Sequence, residues 1–284
     1  MLVLTGTDGF IGKNVYEYFA KNTIEKILTV DFKSEIDPFI FLENLKSKKF
    51  KDIHTIVHNG ACSDTMYTDP EYMMKHNFDY NLSLFRHCRL NNIRLIYASS
   101  ASVYGDGPFH EKAYKKPKNL YAMSKCLFDD YVSCFKSDTV GLRYFNVYGK
   151  YEEHKEHMSS VIYNFFNQVK EGEVKLFEDS HRFLRDFVYI EDVCDIIYKI
   201  YLDKQFKGII NVGTGKERSF LEIAEVFRER YNVPIKEIEM PDALKGNYQE
   251  FTKSDNSKFN SFFKHEYHTL EEGIQKYLKY LESK

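Results

Sequence analysis

The chain opens with the stretch Met1-Leu2-Val3-Leu4-Thr5-Gly6-Thr7-Asp8-Gly9-Phe10-Ile11-Gly12, in which an apolar run leads into three regularly spaced glycines. The apolar run is typical of a buried strand, and a helical pattern begins directly after it. Gly6 permits a tight exit from the strand, Gly9 lets a pyrophosphate approach the backbone, and Gly12 allows close helix packing. The helix N-terminus would face the anion. The stretch predicts the first turn of a dinucleotide-binding fold.

A second apolar run, at residues 27–30, ends at Asp31. That position lies about twenty residues beyond the glycines, where a dinucleotide-binding fold places the acid that binds a ribose hydroxyl. Strand, turn, helix, strand and acid therefore agree with one another. Asp31 by itself favours NAD, whereas Lys33, two residues further on, could pair with the 2′-phosphate of NADP.

Apolar runs then alternate with helical patterns through the rest of the first half. The apolar runs lie at residues 53–57, 93–98 and 140–145, and the helical patterns lie between them at 72–90 and 120–135. Such alternation predicts a parallel sheet with helices on both faces.

Beyond Gly149 the helical patterns become longer. They cover residues 159–170, 190–202, 220–231 and 270–281, and the Ser-Phe-Leu-Glu sequence at 219–222 is a capping box. The sequence therefore predicts an α/β protein of the Rossmann type. A doubly wound parallel sheet is expected from residues 1–149, joined by about 186–215, and a smaller C-terminal α/β substrate lobe mainly from 150–284.

Composition excludes several classes of partner. The 284 residues include 40 basic and 42 acidic side chains, and a net charge of −2 provides no field for nucleic acid or an anionic membrane. No apolar stretch approaches the roughly 20 residues of a membrane span. Five cysteines without Cys-x-x-Cys spacing argue against a disulfide framework and against a metal site. We expect a cytoplasmic protein.

Three side chains predict a hydride-transfer site. Tyr121 and Lys125 lie four residues apart in a predicted helix and therefore share a face, and Ser100 lies just after the apolar run at 93–98. The Lys125 ammonium is expected to lower the pKa of the Tyr121 phenol, so that the phenolate can act as a base. The Ser100 hydroxyl would add a hydrogen bond to the reacting oxygen. Tyr-x-x-x-Lys alone is a weak signal, but the dinucleotide turn strengthens it.

Several further stretches carry a family resemblance over nearly the whole chain. They are His58-Asn59-Gly60-Ala61-Cys62-Ser63, Tyr72-Met73-Met74, Tyr97-Ala98-Ser99-Ser100-Ala101, Arg143-Tyr144-Phe145-Asn146-Val147-Tyr148-Gly149, Arg185-Asp186-Phe187-Val188-Tyr189, Asn211-Val212-Gly213-Thr214-Gly215, His154-Lys155 and Lys245-Gly246-Asn247-Tyr248-Gln249. With them the chain resembles the extended short-chain dehydrogenase/reductases, and among these the ADP-L-glycero-D-manno-heptose 6-epimerases. The resemblance implies a nucleotide-sugar epimerase that oxidises its substrate to a ketone and reduces it again, and it implies a homo-oligomer.

The resemblance also implies binding residues. Besides Gly6, Gly9, Gly12, Asp31, Lys33 and Tyr121, the cofactor would contact Phe10, Ile11, Phe32, Asn59, Gly60, Ala61, Cys62, Ser63, His76 or Asn77, Lys125, Val147 and Lys155. An ADP-heptose or related nucleotide sugar would contact Ser100, Asn146, His157, Asn164, Phe177, Glu178, Asp179, Ser180, Arg185 and Tyr248. Arg185 suits a diphosphate because its guanidinium is a permanent bidentate donor. Lys155 matches the position of a second acid/base group beside Tyr121.

The chain departs from its relatives in the glycine turn, which reads Gly-Thr-Asp-Gly, and in the short segment between Asp31 and Val57. We expect the third strand of the sheet to be reduced to residues 39–42. The relatives favour NADP, and we expect NADP here, with NAD as the alternative.

Other functions make different demands on the sequence. A 4,6-dehydratase needs an acidic pair just after the serine, but Ala101-Ser102-Val103-Tyr104 follows Ser100. A UDP-hexose 4-epimerase or an enzyme that modifies GDP-heptose would keep Ser100, Tyr121 and Lys125, so these functions remain alternatives. A dinucleotide-sensing regulator would not need the three together.

Overall fold

The computed structural model describes residues 1–34, 36–241 and 249–284. Within them lie strands β1 Leu2–Thr5, β2 Ile27–Val30, β3 Thr55–His58, β4 Arg94–Ser100, β5 Thr139–Tyr144, β6 Asn146–Tyr148, β7 Val174–Phe177, β8 Leu184–Tyr189, β9 Gly208–Val212, β10 Glu217–Ser219 and β11 Ile235–Ile238. The helices are α1 Phe10–Asn22, α2 Pro38–Lys46, α3 Pro70–Met74, α4 Tyr80–Leu90, α5 Leu120–Ser133, α6 Val161–Val169, α7 Ile190–Leu202, α8 Phe220–Tyr231, α9 Ser257–Phe262 and α10 Leu270–Glu282. A π-helical turn, Lys75–Asp79, joins α3 to α4, and short 3₁₀ segments cover Ala101–Tyr104, Glu153–Met158 and Ser180–Arg182.

The main sheet has six parallel strands in the order β2-β1-β3-β4-β5-β9. The chain first winds outward from β1 to β2 and then returns to place β3 on the other side of β1. Thr5, the last residue of β1, is in register with Val30 of β2 and with His58 of β3. In open parallel sheets, ligands bind outside the carboxyl ends of the strands at this reversal of strand order. The prediction of a doubly wound α/β sheet is confirmed.

The prediction of a strand at residues 39–42 is wrong, because this segment lies in α2. The Asp37 carboxylate caps the helix by accepting the N–H groups of Phe39 at 2.8 Å and Ile40 at 3.2 Å. Pro38 occupies the first turn, where its missing N–H costs nothing. Apolar Phe41 and Leu45, four residues apart, are buried on one face of the helix. The main sheet therefore ends at β2.

The later half of the chain contributes to two regions. Strand β9 joins the main sheet beside β5, and α7 packs on α1, where the Tyr18 hydroxyl donates to Asp195 at 2.9 Å. Two smaller sheets, β10-β8-β6 and β11-β7, lie outside the main sheet. Helix α8 begins at the predicted capping box, in which Ser219 and Glu222 cap each other's backbone N–H groups. The predicted bounds of α7 and α8 are confirmed.

Among the described residues, no helix combines the length and the apolar character that crossing a membrane requires.

Candidate active site

A cavity of about 350 Å³ lies at the carboxyl ends of β1, β2 and β3. The predicted cofactor residues that line it are Gly6, Gly9, Asp31, Phe32, Lys33, Asn59, Gly60, Ala61, Cys62 and His76. Its wall also includes residues that the sequence did not indicate, namely Thr5, Asp8, Pro38, Phe39, His58, Tyr72 and Tyr80. We refer to this space as the cofactor cavity.

The glycine turn forms a narrow cradle at this cavity. Gly6 has a φ of +75°, which favours glycine, and a Cβ on it would lie 2.5 Å from the Gly60 nitrogen. A Cβ on Gly12 would lie 1.9 Å from the Gly6 carbonyl oxygen. Gly9 is the N-cap residue immediately before α1, so that the unpaired N–H groups of the helix start beside the cavity. These features fit a pyrophosphate, which needs close backbone and exposed N–H donors.

Asp31 supports the glycine turn. One of its carboxylate oxygens accepts the Asp8 N–H at 2.9 Å, and the other accepts the Phe32 N–H at 2.7 Å. Lys33 lies on the same side of the cavity. The two Asp31 oxygens are thus both engaged by the protein backbone, while Lys33 supplies a cation at the cavity.

Aromatic rings close the far side of the cofactor cavity. The Tyr72 and His76 rings are stacked with their centroids 3.8 Å apart, and Phe39 meets His76 edge-on at 5.6 Å. Asn77 does not line the cavity but is fully buried behind it. Its side chain accepts the Cys62 N–H at 2.8 Å and donates to the Cys62 carbonyl at 2.8 Å. Asn77 therefore holds the cavity wall in place.

A second cavity, of about 590 Å³, adjoins the first. Gly9 and Cys62 line the first cavity, and the residues that follow them in the chain, Phe10 and Ser63, line the second. The predicted site residues that line it are Phe10, Ile11, Ser63, Ser100, Tyr121, Asn146, Val147, Lys155, Asn164, Phe177 and Arg185. Residues that the sequence did not indicate are Thr65, Tyr144, Phe145, Met158, Ser159, Ser160, Val161, Phe165, Gln168, Lys175, Leu176, Phe187, Phe220 and Ile238. We refer to this space as the substrate cavity.

Lys125 lies beneath the substrate cavity rather than on its wall. Its Nζ donates to the Ala98 carbonyl at 2.9 Å and lies 5.8 Å from the centroid of the Tyr121 ring. The Lys125 side chain is buried, and burial lowers its pKa to about 8 because the ammonium has lost most of its water.

The pKa of Tyr121 differs from the expectation of a lowered value. Burial raises the pKa of Tyr121 above its usual range, and the hydrogen bond with the Ser100 hydroxyl opposes that rise. The neighbouring Ser102 hydroxyl donates to the Ser100 oxygen at 2.9 Å and fixes its orientation. The lowered pKa was predicted from the proximity of Lys125 alone. Loss of water around the phenol raises the pKa, and this desolvation is the largest effect on Tyr121.

Lys155 reaches the substrate cavity from the 3₁₀ segment Glu153–Met158. Its Nζ lies 5.4 Å from the centroid of the Phe10 ring, and burial lowers the pKa of this lysine. The buried Glu152 carboxylate anchors the segment by accepting the Ser160 N–H at 2.6 Å and the Ser160 hydroxyl at 2.7 Å. Lys155 thus adds a second group capable of proton transfer to the cavity that Tyr121 lines, although the two residues are far apart in the chain.

The predicted substrate residues are distributed unevenly. Arg185 is almost fully buried, with its guanidinium carbon 5.6 Å from the Phe220 ring centroid, and Asn146 accepts the Thr252 hydroxyl at 3.2 Å. Of the predicted run 177–180, only Phe177 lines the cavity. Ser180 is buried away from the cavity, and Asp179 has a φ of +58°. The Glu178 N–H donates to the Ile238 carbonyl of β11 at 3.0 Å. Tyr248 lies outside the described residues, as does the side chain of His157.

Sequence reasoning missed Asp129, a fully buried carboxylate in α5. It accepts hydrogen bonds from Tyr97, Ser99 and Arg143 at 2.9, 3.0 and 2.9 Å. The spacing of Tyr121, Lys125 and Asp129, each four residues apart on one helix face, is the signal that could have indicated it.

Comparisons with known proteins agree with this arrangement. Residues 2–213 match the family described as "NAD dependent epimerase/dehydratase family". The chain is 40% identical to an ADP-L-glycero-D-manno-heptose-6-epimerase of Brachyspira hyodysenteriae, over 99% of this chain and 98% of that protein. A solved structure of the enzyme of that name from Helicobacter pylori superposes with a TM-score of 0.86 at 31% identity, covering 99% and 96% of the two chains. A UDP-N-acetylglucosamine 4-epimerase from Methanobrevibacter ruminantium gives a TM-score of 0.86 at 25% identity, covering 99% and 98%. This chain therefore belongs to the NAD dependent epimerase/dehydratase family.

Proposed function

We propose that the protein is a nucleotide-sugar epimerase that inverts C6 of ADP-glycero-manno-heptose by transient oxidation to a ketone and re-reduction. The observation that carries this proposal is the presence of Tyr121 and Lys155 on the wall of one cavity that adjoins the cofactor cavity. Full-length similarity to proteins named ADP-L-glycero-D-manno-heptose-6-epimerase supports the choice of substrate.

Inversion calls for two acid/base groups. Oxidation removes the hydroxyl proton on one side of the carbon, and re-reduction delivers a proton after the ketone has turned to present its other face. Tyr121, hydrogen-bonded to Ser100, would serve one face. Lys155 would serve the other, and its lowered pKa makes the neutral amine available at a lower pH than in an exposed lysine. The nicotinamide dinucleotide, when bound, accepts a hydride from the substrate and returns it.

The later half of the chain would bind the nucleotide sugar. Arg185 would pair with the diphosphate, and Asn146, Asn164 and Phe177 would contact the remainder of the substrate, because all four line the substrate cavity. Residues 1–149, together with about 186–215, would form the dinucleotide-binding domain, and residues 150–284 would form most of the substrate lobe. The place of β9 in the main sheet supports this division.

We propose NADP as the cofactor. Lys33 lies at the cofactor cavity next to Asp31, whose carboxylate oxygens are both occupied by backbone N–H groups. A 2′-phosphate would find a cation there. Each Asp31 oxygen keeps a lone pair that could accept a ribose hydroxyl, so NAD is the alternative cofactor.

The test is to incubate the purified protein with ADP-D-glycero-D-manno-heptose in D₂O and to separate the C6 epimers by chromatography. Interconversion without deuterium at C6 is expected, because the hydride returns from the cofactor and not from solvent. Deuterium at C6 would contradict hydride transfer. Interconversion of a UDP-hexose instead of ADP-heptose would replace the proposed substrate, and absence of turnover with either sugar would exclude the enzyme assignment for these substrates.

A further inference from the structure

A buried anion lies on the helix that carries the proposed catalytic tyrosine. Asp129 is one turn of α5 beyond Lys125 and two turns beyond Tyr121, so all three lie on the same helix face. Its side chain is fully buried, as is that of Lys125 apart from a small fraction. A buried carboxylate costs several kcal/mol unless it is paired and hydrogen-bonded. The contacts made by Asp129 therefore have to be accounted for.

Asp129 ties α5 to the end of β4. Its Oδ1 accepts the Tyr97 hydroxyl at 2.9 Å and its Oδ2 accepts the Ser99 hydroxyl at 3.0 Å. Ser99 immediately precedes Ser100. Between these two contacts along β4 lies the Ala98 carbonyl, which accepts Lys125 Nζ at 2.9 Å. Helix α5 and strand β4 are thus joined by three successive residues at the point where both supply proposed catalytic groups.

The same carboxylate holds a buried guanidinium. Arg143 Nε donates to Asp129 Oδ2 at 2.9 Å, and its NH1 donates to the Tyr104 hydroxyl at 2.8 Å. That hydroxyl donates in turn to Asn211 of β9 at 2.7 Å. Strands β4, β5 and β9 are therefore linked through Asp129. Arg143 forms the ion pair with this carboxylate, and Lys125 lies within its electrostatic influence.

Asp129 is the main negative charge that acts on Lys125, because the other titratable groups that act on this lysine are neutral or positively charged. Burial lowers the pKa of His58 to about 4 and raises the pKa of the Cys62 thiol, so both are neutral at pH 7. The groups that act electrostatically on Lys125 or Asp129 from the surrounding elements are His58, Cys62, Tyr97, Tyr104, Tyr121 and Arg143. Asp130, the next residue of α5, acts on Tyr97 and pairs with Lys115.

We propose that Asp129 is a positioning residue for the hydride-transfer site, which anchors Ser99 and Tyr97 on α5 so that Ser100, Tyr121 and Lys125 keep their mutual geometry. It also keeps Lys125 in its charged form at neutral pH, because an opposite charge on the same helix face favours the ammonium. This role rests on the proposed function only for its effect on turnover, since the protonation of Lys125 can be measured without substrate.

The test compares Asp129→Asn with wild type. The titration midpoint of Lys125 is followed through its ε-carbon signal in protein labelled with ¹³Cε-lysine, which is assigned by its absence from Lys125→Met. We expect Asp129→Asn to lower the midpoint by about one pH unit or more, since removal of a nearby opposite charge has an effect of this size. In a profile of activity against pH, the decline on the alkaline side should begin at a correspondingly lower pH. The change in kcat should be larger than the change in KM.

Asp138→Asn is the matched control. Asp138 pairs with Arg94, a second buried arginine, and it lies at the opposite end of β5 from the site, lining neither cavity. This variant should lose stability but keep the Lys125 midpoint of wild type. Equal midpoints in the two variants would overturn the proposal. Inactivity of wild type toward ADP-heptose, with the midpoints separated as expected, would overturn the proposed function and leave the role of Asp129 toward Lys125 intact.

A second variant covers failure of Asp129→Asn to fold. Ser99→Ala removes one hydrogen bond and leaves the buried ion pair of Asp129 and Arg143 in place. Its Lys125 midpoint should equal that of wild type, and its kcat should fall by about threefold or more with bound cofactor retained, since Ser100 loses the support of its neighbour and catalytic groups are sensitive to small misplacements. A wild-type kcat in Ser99→Ala would show that Ser99 does not position the site.

Discussion

At the scale of single residues, the proposed chemistry depends on groups whose pKa values are changed by their surroundings. Lys125 and Lys155 are both shifted downward by burial, and Tyr121 is shifted upward by the same cause. In each case the charged form is disfavoured because it has lost water. A phenol and an amine placed in one cavity can then exchange protons with a sugar hydroxyl without either being held permanently in its charged form.

Replacement of Lys155 by Met should lower epimerisation by about 10²-fold or more, because one of the two proton transfers loses its acid/base group. Tyr121→Phe should have an effect of similar size. Lys150→Met is the control, since Lys150 lies on the same connection but pairs with Glu17 at 2.6 Å and lines neither cavity. Measurements are kcat with ADP-heptose and the cofactor released on denaturation. Near-normal turnover in Lys155→Met with cofactor retained would exclude the two-base assignment and favour a single-base 4-epimerase.

At the scale of elements, the short segment after Asp31 forms a helix where an edge strand was predicted. Helix α2 brings Pro38 and Phe39 to the cofactor cavity, where Phe39 meets His76 and Tyr80 edge-on at 5.6 and 5.7 Å. This part of the cavity wall therefore consists of the side chains of Pro38 and Phe39, which a strand would have placed differently. The stability of α2 and the shape of the cavity are coupled.

Asp37→Ala should make this coupling measurable. Removal of the cap should lower the free energy of unfolding by about 1 kcal/mol, and release of bound cofactor should become up to about fivefold faster, because Phe39 loses its support. Thr269→Ala removes a comparable cap, that of α10, which is not at the cofactor cavity. It should cause a similar loss of stability without faster release. Equal release rates in the two variants would mean that α2 does not shape the cofactor site.

At the scale of the whole molecule, two cavities are lined by neighbouring residues of the same two segments, so they would hold cofactor and substrate side by side. An epimerase regenerates its oxidised dinucleotide in every turnover, so it has no need to release it. Tight retention is therefore compatible with catalysis.

The purified protein should accordingly carry a nicotinamide dinucleotide, predicted to be NADP, which denaturation should release for chromatography. If preparation strips the site, NADP added at about 100 times its Kd should stabilise the fold by roughly 2.7 kcal/mol and raise Tm by several degrees. NAD at the same concentration should raise Tm less. An empty protein whose Tm responds to neither dinucleotide would exclude hydride transfer, and a larger response to NAD would reverse the choice of cofactor.

The features that the sequence determined by itself are ones that local pattern controls. Apolar periodicity placed β2, α7 and α8 at their observed bounds, and the Ser219–Glu222 capping box began its helix, because caps and amphipathic faces depend on residues a few positions apart. The alternation of apolar runs with helical patterns predicted the parallel sheet with helices on both faces. Tertiary structure decided what depends on distant partners. The pKa of Tyr121 rises because the folded chain removes its water, and Asp129 gains its three donors from two strands that only folding brings beside α5. At residues 39–42 two local signals conflict, because the short apolar run predicts a strand whereas Asp37 and Pro38 favour the start of a helix, and the folded chain forms the helix.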